Sequence, residues 1–451
     1  MLLSIEKLIY GGDGLGRAPA GADGRSMAVF VPFVLPGERV ETEIRQEKAG
    51  FARGSMTQLV EASPDRVEAC CPYFRQCGGC HYQHIPYRRQ VEFKAEILRE
   101  TLRRIAKIEL KSEIRLHASP PWNYRNRTRL QVQTTPEFPP QTGKTGRSGG
   151  HGIALGYYRF GSHEFLAVRE CPINSPLLNR VMAGLLELGG LNCPAGVEEI
   201  ELFADAADER LLVWAFCGRE SDKRDLLRWA EAIEGELPEV SGVTFFSSRR
   251  RSADHEDDAP MELKSLGQSG AKAIRYRTKE REYQVSAGAF FQVNRHLIDE
   301  LVSVVTGNAS GEVALDLYAG VGLFSAALAR NFHHIFGVEA SQTSQGDFVQ
   351  NVPANVKAVG ARTEDYLRSR PARKSPDLVV LDPPRAGAGK MVTRSLVELG
   401  ARRVRYVSCD PATLARDIAP LIAAGYHVEE AHLFDLFPET FHVESVLLLA
   451  R

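Results

Sequence analysis

Up to about residue 64, apolar positions come in short alternating runs, as in "MAVFVPFVLPGERVETEI" and "GSMTQLVEA", broken by Gly and Pro and without a helical period. Such runs predict short strands, and the set predicts a small all-β barrel of the OB-like kind. The pattern changes at "YRRQVEFKAEILRETLRRIAKI", apolar at helical spacing and charged elsewhere, which predicts an amphipathic helix near residues 90–107. From Asn123 to about Val285 it is strand-rich: "RTRLQVQ", "GIALGYYR", "EIELFAD", "RLLVWAFC", "VSGVTFFSS". Two polar stretches, "PEFPPQTGKTGRSGGHG" and "SRRRSADHEDDAP", read as solvated loops between strands.

After about Ser286, strands alternate with helices: "VALDLY", "GLFSAALAR", "HIFGVEA", "PDLVVLDPP", "VRYVSCD", "TLARDIAPLIAAG". This alternation predicts a doubly wound, Rossmann-like sheet with ligands at the carboxyl ends of its strands. At 451 residues the chain exceeds one small core. The expected fold class is therefore multidomain. A barrel spans residues 1–64, a strand-rich α+β domain spans 65–285, and an α/β domain spans 286–451, with the helix near 90–107 packing on the last.

Composition adds little: 43% hydrophobic and 25% charged residues suit a soluble globular protein. The start, "MLLSIEKLIYGGDGLG", lacks an export signal, and no run reaches a membrane span of about 20 residues. A cytoplasmic location is expected, where thiols stay reduced. Net charge is −1, yet Pro86 to Leu130 holds twelve Lys/Arg against five Asp/Glu. That stretch is either a solvated helix face or a phosphate-contacting surface.

Four of the eight cysteines fall within "CCPYFRQCGGC", Cys70 to Cys80. In a reducing compartment this clustering points to a metal site or a catalytic device rather than disulfides.

In "ALDLYAGVGLFSAALA" a strand ends at Asp316 to Tyr318 and a turn with Gly320 and Gly322 leads into a helix. Glycines serve where backbone must pass close to a ligand. Glu339 closes the next strand, where a carboxylate can accept both hydroxyls of a ribose. The spacing lacks the third glycine of the dinucleotide fingerprint and fits S-adenosylmethionine better. "VVLDPPRAGAG" puts Asp382 at a further strand end, before a rigid Pro383–Pro384 rim. Arg385 follows, where amino-methylating enzymes commonly carry an aromatic residue. Cys409 in "YVSCDPATLARD" sits between a strand and a helix, a setting that lowers a thiol pKa. It is a small core residue or, beside a methyl-donor site, a nucleophile. "LFPETFHVESVLLL" carries Thr440, His442 and Glu444 into the last strand, where Glu444 is a strand-edge acid or a base of raised pKa.

In this order, "NYRNRTRLQV", "GYYRFGSHEFLAVRECPI", "SAGAFFQVN", "DLYAGVGLF", "DPPRAG", "YVSCDPATLARD" and "FPETFHVE" resemble the RNA (uracil-5-)-methyltransferase family over nearly the whole chain. The first 64 residues resemble its TRAM domain. The resemblance implies Cys409 as nucleophile and Glu444 as general base. It also implies methyl-donor contacts at Gln292, Tyr318, Glu339 and Asp382. It makes Cys71, Cys77, Cys80 and the distant Cys171 the ligands of a [4Fe–4S] cluster, as in the ribosomal-RNA branch, with Cys70 a spectator. Zinc is the competing occupant of a four-thiolate site.

The implied activity is S-adenosylmethionine-dependent C5-methylation of a uridine in 23S rRNA by a monomer that binds neither DNA nor membrane. A tRNA uracil-5 methyltransferase is the alternative. A catalytically decayed RNA-binding protein is another, discouraged by Cys409, Glu444 and the glycine turn. Three departures stand out. Asp410 follows the nucleophile, where Asn is common and a negative charge could raise the thiol pKa. Pro353 falls inside an expected helix. Arg362 stands near the position of the usual adenine contact.

Overall fold

A computed structural model of the chain describes residues 1–18, 26–135, 152–188, 193–247, 263–369 and 375–451. The two polar stretches read as solvated loops, residues 136–151 and 248–260, lie outside the described residues.

Strands β1 (Leu2–Leu8), β2 (Asp13–Arg17), β3 (Ala28–Pro32), β4 (Arg39–Lys48) and β5 (Phe51–Glu61) close a barrel in the order β1-β2-β3-β5-β4. Alternation builds it: Leu3, Ile5, Val29, Val31, Val40 and Ala52 point inward while their neighbours face out.

Helix α1 (Tyr87–Thr101) runs into one π-helical turn, Leu102–Ala106. Its apolar stripe, Val91, Leu98 and Leu102, enters the core of the C-terminal sheet. From the same helix Lys94 Nζ reaches Asp435 Oδ1 at 2.7 Å, with both side chains fully buried. Short strand β6 (Arg115–His117) follows.

The central sheet contains β7 (Arg127–Thr135), β8 (Gly152–Tyr158), β9 (Phe165–Ala167), β10 (Val197–Ala204), β11 (Leu211–Cys217), β12 (Val240–Ser247) and β13 (Ser265–Gly270). Its order is β13-β12-β11-β10-β7-β8-β9. Two helices that the strand-rich reading did not resolve, α2 (Pro176–Glu187) and α3 (Lys223–Glu236), close one core with it through Leu178, Val181, Leu226 and Trp229. Each begins at a side-chain cap: Ser175 accepts from the Leu178 amide, and Asp222 from those of Arg224 and Asp225. Strands β14 (Ala273–Arg277) and β15 (Glu282–Ser286) form a separate hairpin.

The C-terminal part alternates α4 (Ile298–Thr306), β16 (Gly311–Leu317), α5 (Leu323–Leu328), β17 (Phe332–Glu339), α6 (Gln342–Asn351), β18 (Val356–Gly360), α7 (Thr363–Ser369), β19 (Leu378–Leu381), α8 (Gly389–Leu399), β20 (Arg403–Ser408) and α9 (Pro411–Ala423), then β21 (His427–Phe434) and β22 (Glu444–Ala450). The sheet order is β18-β17-β16-β19-β20-β22-β21-β6. Strands β16 to β20 are parallel, β22 is antiparallel to both neighbours, and β6 adds in parallel to β21. All four residues of β19 are buried because helices cover both faces.

One expectation is corrected here. Pro353 is not inside a helix: α6 ends at Asn351 and Val352 is extended (φ −113°, ψ 148°), the conformation favoured before proline. The basic run divides between surface ion pairs and the interior. Arg88 and Arg89 pair with Glu92, Arg104 with Glu100, Arg115 with Glu430, Arg127 with Glu201, and Arg129 with Glu199. Lys94 is buried against Asp435, and Arg125 is half-buried beside the cysteines. Among the described residues no helix is long and apolar enough to cross a membrane.

Candidate active site

The parallel strands end together, and the glycine turn sits at the end of β16. Tyr318 (φ 65°), Gly320 (φ 56°) and Gly322 (φ 89°) are all left-handed. A Cβ on Gly322 would lie 2.4 Å from Cδ2 of buried Phe348, so only glycine fits. Glu339, at the end of β17, accepts from the Gly320 amide (2.8 Å) and the Ser341 amide (2.6 Å). These bonds leave its carboxylate further acceptor capacity toward the turn. Asp316 is buried, with one oxygen bonded to Ser325 Oγ at 2.6 Å and the other without a partner. Burial, opposed by the Ser325 bond, raises its pKa from 3.8 to about 7. Gln292 Nε2 lies 3.4 Å from Asp382 Oδ2, bringing two separated motifs to the same cleft.

Register then brings Cys409 and Glu444 together. Ser408 of β20 pairs with Ser445 of β22, so the residues just beyond that pair are neighbours. Asp382 ends β19, the strand on the other side of β20. Burial pushes the Cys409 thiol from 9.0 up to about 12, aided by Glu444, Asp382 and least by Asp410, and opposed by Arg385. The direction is opposite to that expected from the helix N-terminus: burial, and then the two acids, raise the thiol. Burial and then Asp382 raise Glu444, again against Arg385. Asp382 itself rises from 3.8 to about 7 through burial, opposed by Gln292. The Asp410 carboxylate turns away from the cleft to cap α9, accepting from the Ala412 (2.9 Å) and Thr413 (2.8 Å) amides.

The remaining predicted residues lie in a separate cavity of about 70 Å³ lined by Cys71, Cys77, Cys80 and Cys171 together with half-buried Arg125. Cys70 is exposed and is not among the lining residues. Burial raises Cys71, Cys77 and Cys80, so their thiolates need positive charge nearby. Outer contacts fix the ligand backbone: Gln83 accepts from the Cys71 amide (3.2 Å) and Asn179 from the Cys171 amide (3.1 Å). The Gly79 amide donates to Cys77 Sγ (3.4 Å), and Arg125 Nε has no partner. Four sulfurs, a sulfur-directed amide and a half-buried cation make a donor set that fits an anionic iron–sulfur cluster.

The sequence reading missed two residues that meet these sites. Tyr10, from the barrel, donates to the Cys409 carbonyl at 3.2 Å; only the docking of the barrel reveals it. Arg125 was counted as a surface base, and its alternation within "NYRNRTR" gives no sign that it points inward.

A doubly wound sheet with a glycine turn after β16 and an acid ending β17 defines the class, a methyltransferase of the S-adenosylmethionine type. The family description tRNA (Uracil-5-)-methyltransferase matches residues 268–366 and 373–451. An uncharacterized RNA methyltransferase of Caldanaerobacter subterraneus subsp. tengcongensis is 31% identical, covering 100% of this chain and 97% of its own. The 23S rRNA (uracil(1939)-C(5))-methyltransferase of Chromohalobacter salexigens is 32% identical, covering 100% of this chain and 89% of its own. The fold is similar to the crystal structure of Pyrococcus abyssi tRNA (uracil-54, C5)-methyltransferase in complex with S-adenosyl-L-homocysteine. Its TM-score is 0.71 at 24% identity, with 99% of each chain covered. The chain belongs to the RNA (uracil-5-)-methyltransferase family and is an S-adenosylmethionine-dependent enzyme.

Proposed function

We propose that the chain methylates C5 of a uridine in 23S rRNA, with Cys409 as nucleophile and Glu444 as base. The carrying observation is the meeting of Cys409, Glu444 and Asp382 at adjacent strand ends beside the glycine turn. Uracil C5 is a weak nucleophile, and covalent help removes that difficulty. The Cys409 thiolate adds to C6, and C5 of the resulting enolate would displace the methyl group from the donor's sulfonium, whose S–CH3 electron pair stays with sulfur as S-adenosylhomocysteine. Glu444 removes the C5 proton, and elimination frees the thiol. Cys409 and Glu444 face the guanidinium of Arg385. The sulfonium of the donor supplies a second positive charge, which favours the ionised forms the reaction needs. Gln292, Tyr318, Gly320, Gly322, Glu339 and Asp382 line the donor side. The target base must leave its stack to reach the thiol.

The barrel at 1–64 holds flanking RNA in this reading. Residues 65–285 carry the four-thiol cavity and 286–451 the transfer chemistry, although β6 of the second segment lies in the sheet of the third. Cys71, Cys77, Cys80 and Cys171 hold a [4Fe–4S] cluster that supplies a closed, four-thiolate crosslink between the 71–80 loop and Cys171. The rRNA assignment is supported by that cavity and by the name of the Chromohalobacter relative. The name of the matching family description favours tRNA instead.

The deciding experiment incubates anaerobically purified protein with labelled donor and with unmodified 23S rRNA and tRNA transcripts in parallel. 5-Methyluridine in rRNA is expected; label in tRNA alone overturns the substrate assignment. Cys409→Ala should abolish turnover and the covalent RNA adduct, and retained turnover would sink the nucleophile. Glu444→Gln should trap the methylated adduct.

A further inference from the structure

The turn joining β1 to β2 leaves the barrel and enters the catalytic centre. Gly12, at φ 94°, lies against His81 of the cysteine loop, where a Cβ would come within 3.2 Å of that ring. Tyr10, two residues earlier, packs against two hydrophobic clusters. One is the core of the C-terminal sheet, and the other contains Leu8, Tyr82 and Phe93. Its ring meets Phe441 edge-on at 5.6 Å, and Phe441 lies three residues before Glu444. Its hydroxyl donates to the carbonyl of Cys409 at 3.2 Å. Among the described residues no loop or cap amide bonds that carbonyl. The phenol also faces the Asp410 carboxylate, within hydrogen-bonding reach, and the Arg385 guanidinium.

We infer that Tyr10 is a positioning residue for methyl transfer: its hydroxyl fixes the Ser408–Asp410 elbow so that the Cys409 thiol points at the uracil. The inference rests on the reading of Cys409 as nucleophile. The peptide plane that carries the Cys409 carbonyl also carries the Asp410 amide, and it is held at both ends: Ser408 Oγ accepts from the amide at 3.2 Å, and the phenol donates to the carbonyl at 3.2 Å. The Asp410 side chain anchors the helix side, so of these bonds the one from Tyr10 alone comes from the barrel. A nucleophile that swings through a small angle loses near-attack geometry steeply. The barrel thereby completes the active site in addition to any grip on RNA, and the nucleophile is correctly set only when the barrel is docked.

The test uses the full-length holoenzyme and the RNA transcript it methylates. Tyr10→Phe keeps the ring between its two clusters and removes only the hydroxyl. It should lower kcat, and the single-turnover rate of covalent adduct formation, by roughly three- to tenfold. KM for RNA, donor affinity and the thermal midpoint should stay at wild-type values. Tyr10→Ala, which also removes the ring, should lower kcat further. Wild-type adduct formation in Tyr10→Phe overturns the inference. So does a raised KM with unchanged kcat, which would make Tyr10 an RNA contact. Cys409→Ala runs alongside: if it still turns over, the nucleophile reading fails whatever Tyr10 does. If it is dead while Tyr10→Phe is fully active, only the positioning role fails.

Discussion

Replacing Glu444 by Gln should make the Cys409 thiol markedly more acidic, whereas replacing Asp410 by Asn should barely change it. Burial is the main cause of the rise from 9.0 to about 12, with Glu444 next, Asp382 third and Asp410 weakest. The charge of Glu444 is thus the largest contribution after burial, and that of Asp410 the smallest. Asp410 stands next in sequence, yet its carboxylate is engaged by two α9 amides at 2.9 and 2.8 Å and points away from the sulfur. Asn caps a helix as well as Asp does, so Asp410→Asn leaves α9 intact. The assay is the pH dependence of iodoacetamide alkylation at Cys409 in donor-free protein, read by peptide mass spectrometry. At an alkaline pH where both Glu444 and Asp410 are ionised, Glu444→Gln should react faster than wild type, and Asp410→Asn close to the wild-type rate. Arg385→Met, which removes the opposing cation, should react more slowly. A wild-type thiol titrating at 9 or below, or equal acceleration by the two acid variants, would refute the reasoning.

Gly322→Ala should destabilise by roughly 2–5 kcal/mol, because it combines a left-handed backbone with the 2.4 Å clash against Phe348. Gly320→Ala, at φ 56° with open space around it, should cost only about 1–2 kcal/mol; equal losses in urea unfolding would contradict this difference. Asp316, raised from 3.8 to about 7, keeps a proton in the folded state that the unfolded chain releases. Its contribution is therefore full below pH ~4, is lost as pH rises to ~7, and is flat above, a change on the order of 4 kcal/mol. Asp316→Asn should flatten that part of the stability–pH curve, and an unaltered slope between pH ~4 and ~7 would count against it. Lys94→Met should cost about 3–5 kcal/mol by leaving Asp435 charged and buried without its partner. A second change, Asp435→Asn, should recover part of that loss in the same unfolding assay.

What could be read in the sequence was local. Gly320 and Gly322 sit in a turn, and Cys409 between β20 and α9, because strand, turn and helix signals lie within a few residues of one another. The alternation of the barrel strands is equally local. Other features depend on partners distant in the chain. Twelve basic residues read alike between Pro86 and Leu130, but Lys94 enters the core to meet Asp435, while Arg125 enters the four-thiol cavity. Residue spacing told where Cys409 stands but not its acidity, which depends on Glu444 and Asp382 arriving from other strands. Helices α2 and α3 were hidden between strong strand signals, and Tyr10 carries no mark until the barrel docks.

The edge strand β6 sets a timing problem for synthesis. Arg115 pairs with His432, so at ordinary ribosomal speeds β6 waits roughly 15–60 s for the strand that accepts it. During that interval the apolar stripe of α1, Val91, Leu98 and Leu102, has no sheet to cover it. Nor can the C-terminal segment be cut free as an independent unit. A fragment beginning at residue 286 would leave β21 as a bare edge, open to pairing with other chains.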